Sequence, residues 1–331
     1  MKVLIGPSMM GLEAAIPNLK AKYPDIEFAY CDGRDTMPAM IADADVYMGW
    51  LDRTQFLAAK RLKWLQSPSS GVNHYLVIPE LVASDLILTS ASGTHSACLA
   101  DSIFGMILAF TRCIKDFVLK QQQHAWAMQE FRSQMLELTG STMGIIGLGT
   151  VGLATARRAV AFGMRVVAVD VQPLPKPDTV EALWGLDRLP ELLSTSDYIV
   201  VTVPYTAQTD GMIGAAEIAQ MKPGAFLVGI SRGRIIDEAA LIAALKSGHL
   251  RGAALDVFAQ EPLPPESELW DMPNVLITPH AAGGTQFEAQ YVLNIFYENL
   301  DRFLRGDFPL HNQEAIKDRK STRLNSSHTS V

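Results

Sequence analysis

Between Met143 and Asp170 a strand, a glycine turn, a helix and a second strand follow one another, and that order constrains this chain more than any other part of it. The apolar run Met143-Gly144-Ile145-Ile146 leads into Gly147-Leu148-Gly149-Thr150-Val151-Gly152, and a helical pattern continues from Val151 to Phe162. Gly147 makes the sharp turn, Gly149 lets a ligand approach the backbone, and Gly152 lets helix and strand pack closely. The first amides of the helix, those of Thr150 and Val151 among them, lack intrahelical partners and sit at the positive end of the helix dipole, which suits phosphate.

A glycine turn alone is weak, and a structural turn with a capping aspartate is the bland alternative. The register of strand, turn, helix and acid points instead to a dinucleotide site. The next strand, Val166-Val167-Ala168-Val169, ends about twenty residues on in Asp170. A carboxylate there accepts the adenosine ribose hydroxyls and repels a 2′-phosphate. Val171 and Gln172 follow rather than an arginine, so the expected cofactor is NAD in preference to NADP.

The same rhythm extends in both directions. Val3-Leu4-Ile5, a helix near Leu12 to Lys22, Ile26 to Ala29, Val46 to Met48, Leu62 to Gln66 and Leu86 to Thr89 form a first strand-helix series. A helical stretch from near Ser96, with Ala100, Phe104, Ile107, Leu108 and Ile114 at helical spacing, reads as a bridge to the second series. That series continues through Ile199 to Val203, Phe226 to Val228, Ala253 to Leu255 and Val275 to Thr278, with the Pro-rich stretch Gln172 to Asp178 as a surface loop. After Gly283-Gly284 a helix from Thr285 to about Arg305 can return to the first series.

The expected fold class is α/β, with two doubly wound parallel-sheet domains: a flavodoxin-like substrate domain and an NAD-binding Rossmann domain. Residues 1–98 and 285–316 make the first, discontinuous in sequence, and residues 99–284 the second. Residues 317–331 read as a disordered, non-native tail. The string from Asp318 to His328 resembles a translated sequencing adapter, and no function is expected of it.

With 331 residues, 48% hydrophobic and 19% charged, the chain has apolar material for more than one core. Its net charge of -7 and lack of a Lys/Arg stripe argue against nucleic acid and anionic lipid as partners. Cys31, Cys98 and Cys113 form no CxxC pair or His/Cys cluster, so neither a disulfide framework nor a metal site is expected. The apolar stretch at Met1 to Pro7 is too short for a signal peptide, and Ile103 to Phe110 is far below membrane-spanning length. A cytoplasmic protein with reduced cysteines is the expectation.

Three further segments stand at or just after strand ends: Gly229-Ile230-Ser231-Arg232-Gly233-Arg234-Ile235-Ile236-Asp237, Asp256-Val257-Phe258-Ala259-Gln260-Glu261-Pro262, and Thr278-Pro279-His280-Ala281-Ala282-Gly283-Gly284-Thr285. Together with the glycine turn they resemble the D-isomer-specific 2-hydroxyacid dehydrogenases, over almost the whole chain to about Asn312. The resemblance implies hydride exchange with a small 2-keto or 2-hydroxy acid. Such chemistry needs a cation for the substrate carboxylate and carbonyl, a hydride donor, and an acid for the forming alkoxide. Arg232 suits the first task with its planar fork, and His280 the last, acting as base in the oxidation direction. Glu261, bonded to the other imidazole nitrogen, favours the imidazolium and fixes the ring.

By the same resemblance Ser70 and Gly71, in Ser67-Pro68-Ser69-Ser70-Gly71-Val72-Asn73, offer backbone amides to the carboxylate. Val203, Pro204 and Thr209 run beside the nicotinamide ribose, Asp256 stands near the nicotinamide amide or caps its strand, and Ile230 and Gly283 complete the cofactor side. Trp50 and Tyr75 read first as core and second as lining of the substrate pocket. The resemblance also puts the active site in a cleft between the domains and implies a homodimer through the cofactor domain, with Asp101 to Phe131 as an arm.

Taken singly, each group has a plain structural reading: a surface ion pair for Arg232, a loop acid for Glu261, a helix cap for His280. Their order and context make the joint reading catalytic. The chain departs from the family pattern at Thr202, where His is frequent, at Gly229 for Asn, and at Asp101 for Glu. Glu261 disfavours formate dehydrogenases, which carry Gln there, and the Ser69-Ser70-Gly71 loop disfavours phosphite dehydrogenases, which place Lys before the glycine. Phosphoglycerate dehydrogenases generally add phosphate-binding cations and often a regulatory extension, neither of which is read here. An NAD-sensing corepressor-like interaction protein of the same fold is the alternative class.

Overall fold

The structure, a computed structural model, describes residues 1–7 and 10–316. The expectation for residues 317–331 lies outside the described residues. By its internal contacts the chain divides into two units: residues 1–95 with the chain from Thr285 onward, and Ser96–Gly284.

The first unit is a parallel sheet of β1 (Lys2–Ile5), β2 (Glu27–Tyr30), β3 (Val46–Met48), β4 (Trp64–Gln66) and β5 (Ile87–Thr89) in the order β2-β1-β3-β4-β5. This is the flavodoxin-like order. Its central strands are apolar without alternation because both faces are covered: Val3, Leu4, Ile5, Val46, Tyr47 and Met48 are all fully buried. The helix Glu288–Arg305 packs Val292, Phe296 and Leu300 into the same core, and Phe296 stacks on Trp64 at 5.3 Å between ring centroids.

A buried polar chain ties that helix to the sheet. Trp64 Nε1 donates to Thr89 Oγ1 (2.8 Å), Thr89 Oγ1 to Gln66 Oε1 (2.7 Å), and Asn299 Nδ2 to both Gln66 Oε1 (3.3 Å) and the His311 carbonyl (3.0 Å). Buried polar groups satisfied in this way specify one arrangement of sheet and helix. Strand order reverses between β1 and β3, and there the Tyr47 phenol fills the space: a Cβ on Gly6 would fall 1.9 Å from its hydroxyl oxygen. Tyr75, considered above as pocket lining, is fully buried and donates to the Gly49 carbonyl at 2.7 Å, so it is a core residue. Trp50 is half-buried.

The second unit is a seven-stranded parallel sheet: β6 (Thr142–Ile146), β7 (Arg165–Val169), β8 (Ala182–Trp184), β9 (Tyr198–Val201), β10 (Ala225–Gly229), β11 (Leu250–Leu255) and β12 (Val275–Ile277). The order β12-β11-β10-β9-β6-β7-β8 is that of dinucleotide folds with one added strand. Strand β8 was not expected from the sequence. It is a half-buried edge strand of three residues, held by its ladder to β7, and it carries no β-branched residue to announce it.

The expected run from Ser96 to Ile114 is not one helix. It stops at Thr111, Cys113 takes the left-handed conformation (φ 53°), and a second helix runs from Ile114 to Gln122 with Ile114 exposed. The first piece buries Ile103, Phe104, Met106 and Ile107 against Met143, Ile145, Met164 and Val166. Among the described residues no single helix is long and apolar enough to cross a membrane, and no group of three or more His, Cys, Asp or Glu is placed to hold a metal.

Candidate active site

Parallel register sets the frame of the site. Ile146 pairs with Val169 and Val201, Val201 with Gly229, Gly229 with Leu255, and Leu255 with Ile277, so these six residues form one row across the sheet. The next residue of each strand is Gly147, Asp170, Thr202, Ile230, Asp256 or Thr278. Every segment singled out in the second half of the sequence therefore leaves the sheet along one carboxyl edge, where ligands of such folds bind.

At the point where strand order reverses, between β6 and β9, the glycine turn has the geometry its sequence requires. Gly147 lies at φ 95° with its Cα against Val203, and a Cβ on Gly152 would fall 2.3 Å from the Gly147 carbonyl oxygen. Space beside Gly149 is open, and the helix Thr150–Ala161 begins there, solvent-exposed and without a side-chain cap. Asp170 Oδ2 accepts the Leu148 amide (2.7 Å) and Oδ1 the Gln172 amide (2.8 Å), which leaves each oxygen a further lone pair. Exposed helix amides, an open flank and a carboxylate with remaining acceptor capacity fit a dinucleotide.

Thr202, one of the departures from the family pattern, has a clear task. Its hydroxyl donates to the Gly147 carbonyl at 2.6 Å and fixes the turn from the neighbouring strand. Thr209 Oγ1 donates to the Pro204 carbonyl (2.7 Å) and holds the loop after β9 closed on itself. Of the other departures, Asp101 pairs with Arg158 at 2.7 Å, and Gly229 packs so closely that a Cβ would meet Ile236 at 2.9 Å.

The three polar groups assigned to chemistry come from three adjacent strands. A Cβ on Gly233 would fall 1.8 Å from the Phe258 carbonyl carbon, so only glycine lets the loops after β10 and β11 touch. Arg232 is thereby set beside the Glu261 loop. Burial pushes its guanidinium below its ordinary pKa, and the Glu261 charge partly offsets this. Glu261 Oε1 accepts the Phe258 amide (2.9 Å) and Oε2 meets His280 Nδ1 at 2.6 Å.

His280 occupies the left-handed region (φ 52°), a conformation that costs a β-carbon residue energy and persists only where its surroundings impose it. Asp256 imposes it. With 1% of its surface exposed, its carboxylate accepts the Thr278 hydroxyl (2.6 Å) and the amides of Ala281 (2.9 Å) and Ala282 (3.1 Å). Its carbonyl accepts the His280 amide (2.9 Å). In this structure, then, the Asp256 carboxylate anchors the His280 loop.

Sequence reasoning missed the other clamps on that loop. Cys98 Sγ donates to the Gly283 carbonyl (3.1 Å) and Ser102 Oγ to the Ala282 carbonyl (3.0 Å). Partners 180 and 185 positions apart leave no local signal. The Ile230 side chain is buried in the core and only its backbone lies on the sheet edge. In the first unit Ser70 is exposed, its hydroxyl donates to the Ala91 carbonyl (3.1 Å), and the Gly71 amide donates to Ser69 Oγ (3.2 Å).

Comparison with known proteins identifies the family. Residues 104–282 match the model of the D-isomer specific 2-hydroxyacid dehydrogenase, NAD binding domain. A glyoxylate reductase from Korarchaeum cryptofilum is 34% identical over 275 residues, 81% of this chain and 82% of the relative. The crystal structure of a D-isomer specific 2-hydroxyacid dehydrogenase family protein from Aeromonas salmonicida is similar at a TM-score of 0.83 and 29% identity, over 95% of this chain and 99% of that one. That of a D-isomer specific 2-hydroxyacid dehydrogenase from Xanthobacter autotrophicus, in complex with NADPH and MES, is similar at 0.81 and 28%, over 96% and 99%. The chain belongs to the D-isomer specific 2-hydroxyacid dehydrogenase family and is a nicotinamide-dependent oxidoreductase of small 2-hydroxy and 2-keto acids.

Proposed function

We propose that this enzyme uses NAD(H) to interconvert a small 2-keto acid, such as glyoxylate or hydroxypyruvate, and its D-2-hydroxy acid. The observation that carries the reading is the 2.6 Å contact of His280 Nδ1 with Glu261, beside a desolvated Arg232. A bound nicotinamide supplies or takes the hydride. Arg232 holds the substrate carboxylate and polarises the carbonyl. His280 gives the proton on Nε2 to the forming alkoxide in reduction and removes it in oxidation, while Glu261 accepts the hydrogen on Nδ1 throughout. The amides of Ser70 and Gly71 bind the carboxylate, Gly71 exchanging its 3.2 Å bond to Ser69 for one to substrate.

The amides of Gly149, Thr150, Val151 and Gly152 receive the pyrophosphate, with Gly147, whose own amide donates to the Val169 carbonyl (2.9 Å), turning the chain toward it, and Asp170 receives the adenosine ribose. Val203, Pro204, Thr209, Ile230, Asp256 and Gly283 flank the nicotinamide side. The Asp170 carboxylate supports NAD over NADP, because a 2′-phosphate there would meet a fixed negative charge. Ile114, Val118, Leu119 and Trp126, apolar yet 48%, 48%, 50% and 99% exposed, support a homodimer through this unit.

The test is the purified protein with NADH or NADPH against glyoxylate, hydroxypyruvate, pyruvate and phenylpyruvate. NADH oxidation by at least one acid is expected, and His280→Ala should abolish turnover while still binding NADH. No oxidation with any acid, or an unchanged rate in the variant, overturns the assignment.

A further inference from the structure

A second polar cluster lies wholly within the first unit, around the Ser67 to Gly71 loop. Serine side chains stitch that loop: the Ser69 amide donates to Ser67 Oγ (3.1 Å), the Gly71 amide to Ser69 Oγ (3.2 Å), and the Ala91 amide to the Ser69 carbonyl (3.0 Å). Beyond these local bonds the loop is held by an imidazole. His95 Nδ1 lies 3.1 Å from Ser70 Oγ and 2.8 Å from Thr94 Oγ1, and Nε2 lies 3.5 Å from Glu288 Oε1 on the helix Glu288–Arg305. The His95 side chain is 13% exposed.

Hydrogen counting orients the ring. A hydroxyl has one hydrogen to give. Ser70 Oγ and Thr94 Oγ1 both give theirs to the Ala91 carbonyl, at 3.1 and 2.7 Å, and a carbonyl oxygen can only accept. With both hydroxyls turned to that carbonyl, Nδ1 faces them as the donor and shares its hydrogen between them. The face of the ring is set from the other side by Glu288.

We propose that His95 is a positioning residue: by donating from Nδ1 to Ser70 it fixes the loop that receives the substrate carboxylate, and so sets affinity for the keto acid without entering the hydride step. This rests on the assignment of Ser70 and Gly71 to the carboxylate made above. Toward Ser70 the ring acts as a directed N–H donor, a task that an amide of the right length can take over, while its Nε2 faces the Glu288 carboxylate. Asn puts its Nδ2 near the place of Nδ1, whereas Gln puts its Nε2 near the place of Nε2.

The experiment is steady-state reduction of the best keto acid by H95A, H95N, H95Q and S70D, with NADH affinity and thermal stability measured in parallel. H95A and H95Q should raise KM for the keto acid by about two- to tenfold, the loss of one hydrogen bond, at wild-type kcat and NADH affinity. H95N should restore KM. Equal KM in H95N and H95Q, or a change confined to thermal stability, overturns the proposal; so does equal loss of NADH affinity and keto-acid affinity. If H95A fails to fold, the contrast between H95N and H95Q still decides. S70D places a carboxylate in the loop and should raise KM for an anionic substrate. An unchanged KM in S70D removes the loop assignment itself and this proposal with it. A raised KM in S70D with a wild-type H95A leaves the loop assignment standing and removes His95 from it.

Discussion

Replacing Glu261 by Gln separates what the His280 contact does for stability from what it does for turnover. In the native chain both carboxylate oxygens accept, Oε1 from the Phe258 amide at 2.9 Å and Oε2 from His280 Nδ1 at 2.6 Å. Gln has one oxygen and one NH₂ group. If its oxygen keeps the Phe258 amide, its NH₂ faces Nδ1, which must then present a lone pair. If the amide turns over, the Phe258 amide faces a donor instead. The charged imidazole, with hydrogens on both nitrogens, is satisfied in neither arrangement without the loss of one bond.

The stability cost is small. The two side chains are 46% and 34% exposed, so solvent screens the pair and its loss should cost under about 1 kcal/mol. The kinetic cost is larger, because in the mechanism proposed above the protonated His280 ring is the form that gives its proton in reduction. A hydrogen bond to a charged group is worth about 1.5–3 kcal/mol, and partial exposure argues for the lower half of that range, a fall in kcat of about ten- to fortyfold. NADH affinity should not change, since no phosphate or ribose contact is touched. Steady-state assays by NADH absorbance, beside thermal melts of both proteins, measure the two effects. An E261Q enzyme within about twofold of wild-type kcat would refute the role given to the pair.

Other perturbations follow from the same geometry. Gly233→Ala drives a methyl into the Phe258 backbone, which cannot swing aside, so Tm should fall by about 3–10 °C and kcat/KM with it; an unshifted melt would show that the loops after β10 and β11 do not touch. At Asp45, burial pushes the carboxyl upward, but the Lys2 amide, Lys63 and Arg61 outweigh it and hold the group below the usual carboxylate range. Its stabilisation is therefore present above the ordinary carboxylate pKa and is lost as pH falls through the depressed value. Asp45→Asn should cost about 1–2 kcal/mol at neutral pH in denaturant titration, with the difference from wild type closing only as pH falls below the usual carboxylate range, and a deficit that persists in strong acid counts against this sign. Leu119→Glu on the exposed apolar helix should shift sedimentation from dimer to monomer; a wild-type profile excludes that face from the interface.

Much of the fold of this enzyme is legible in its sequence. Strands buried on both faces read as unbroken apolar runs, which is why β1, β3, β6, β7, β10 and β11 stand where the pattern put them. Strand β8 escaped because an edge strand of three residues owes its existence to the neighbour it pairs with. The helix break at Cys113 escaped because apolar spacing continues across it while the backbone does not.

The site divides in the same way. Arg232, Glu261 and His280 stand out in the sequence as candidates because each follows a strand in a distinctive local motif. Their supports do not: Thr202 reaches the Gly147 carbonyl across 55 positions, Cys98 reaches Gly283 across 185, and Asp256 spends its carboxylate on the His280 loop. The amino-acid order by itself determined which residue stands one step beyond each strand. Only the tertiary structure decided that those steps lie side by side, because parallel strands joined by crossover helices pair in the order β12-β11-β10-β9-β6-β7-β8 and not in the order of the chain.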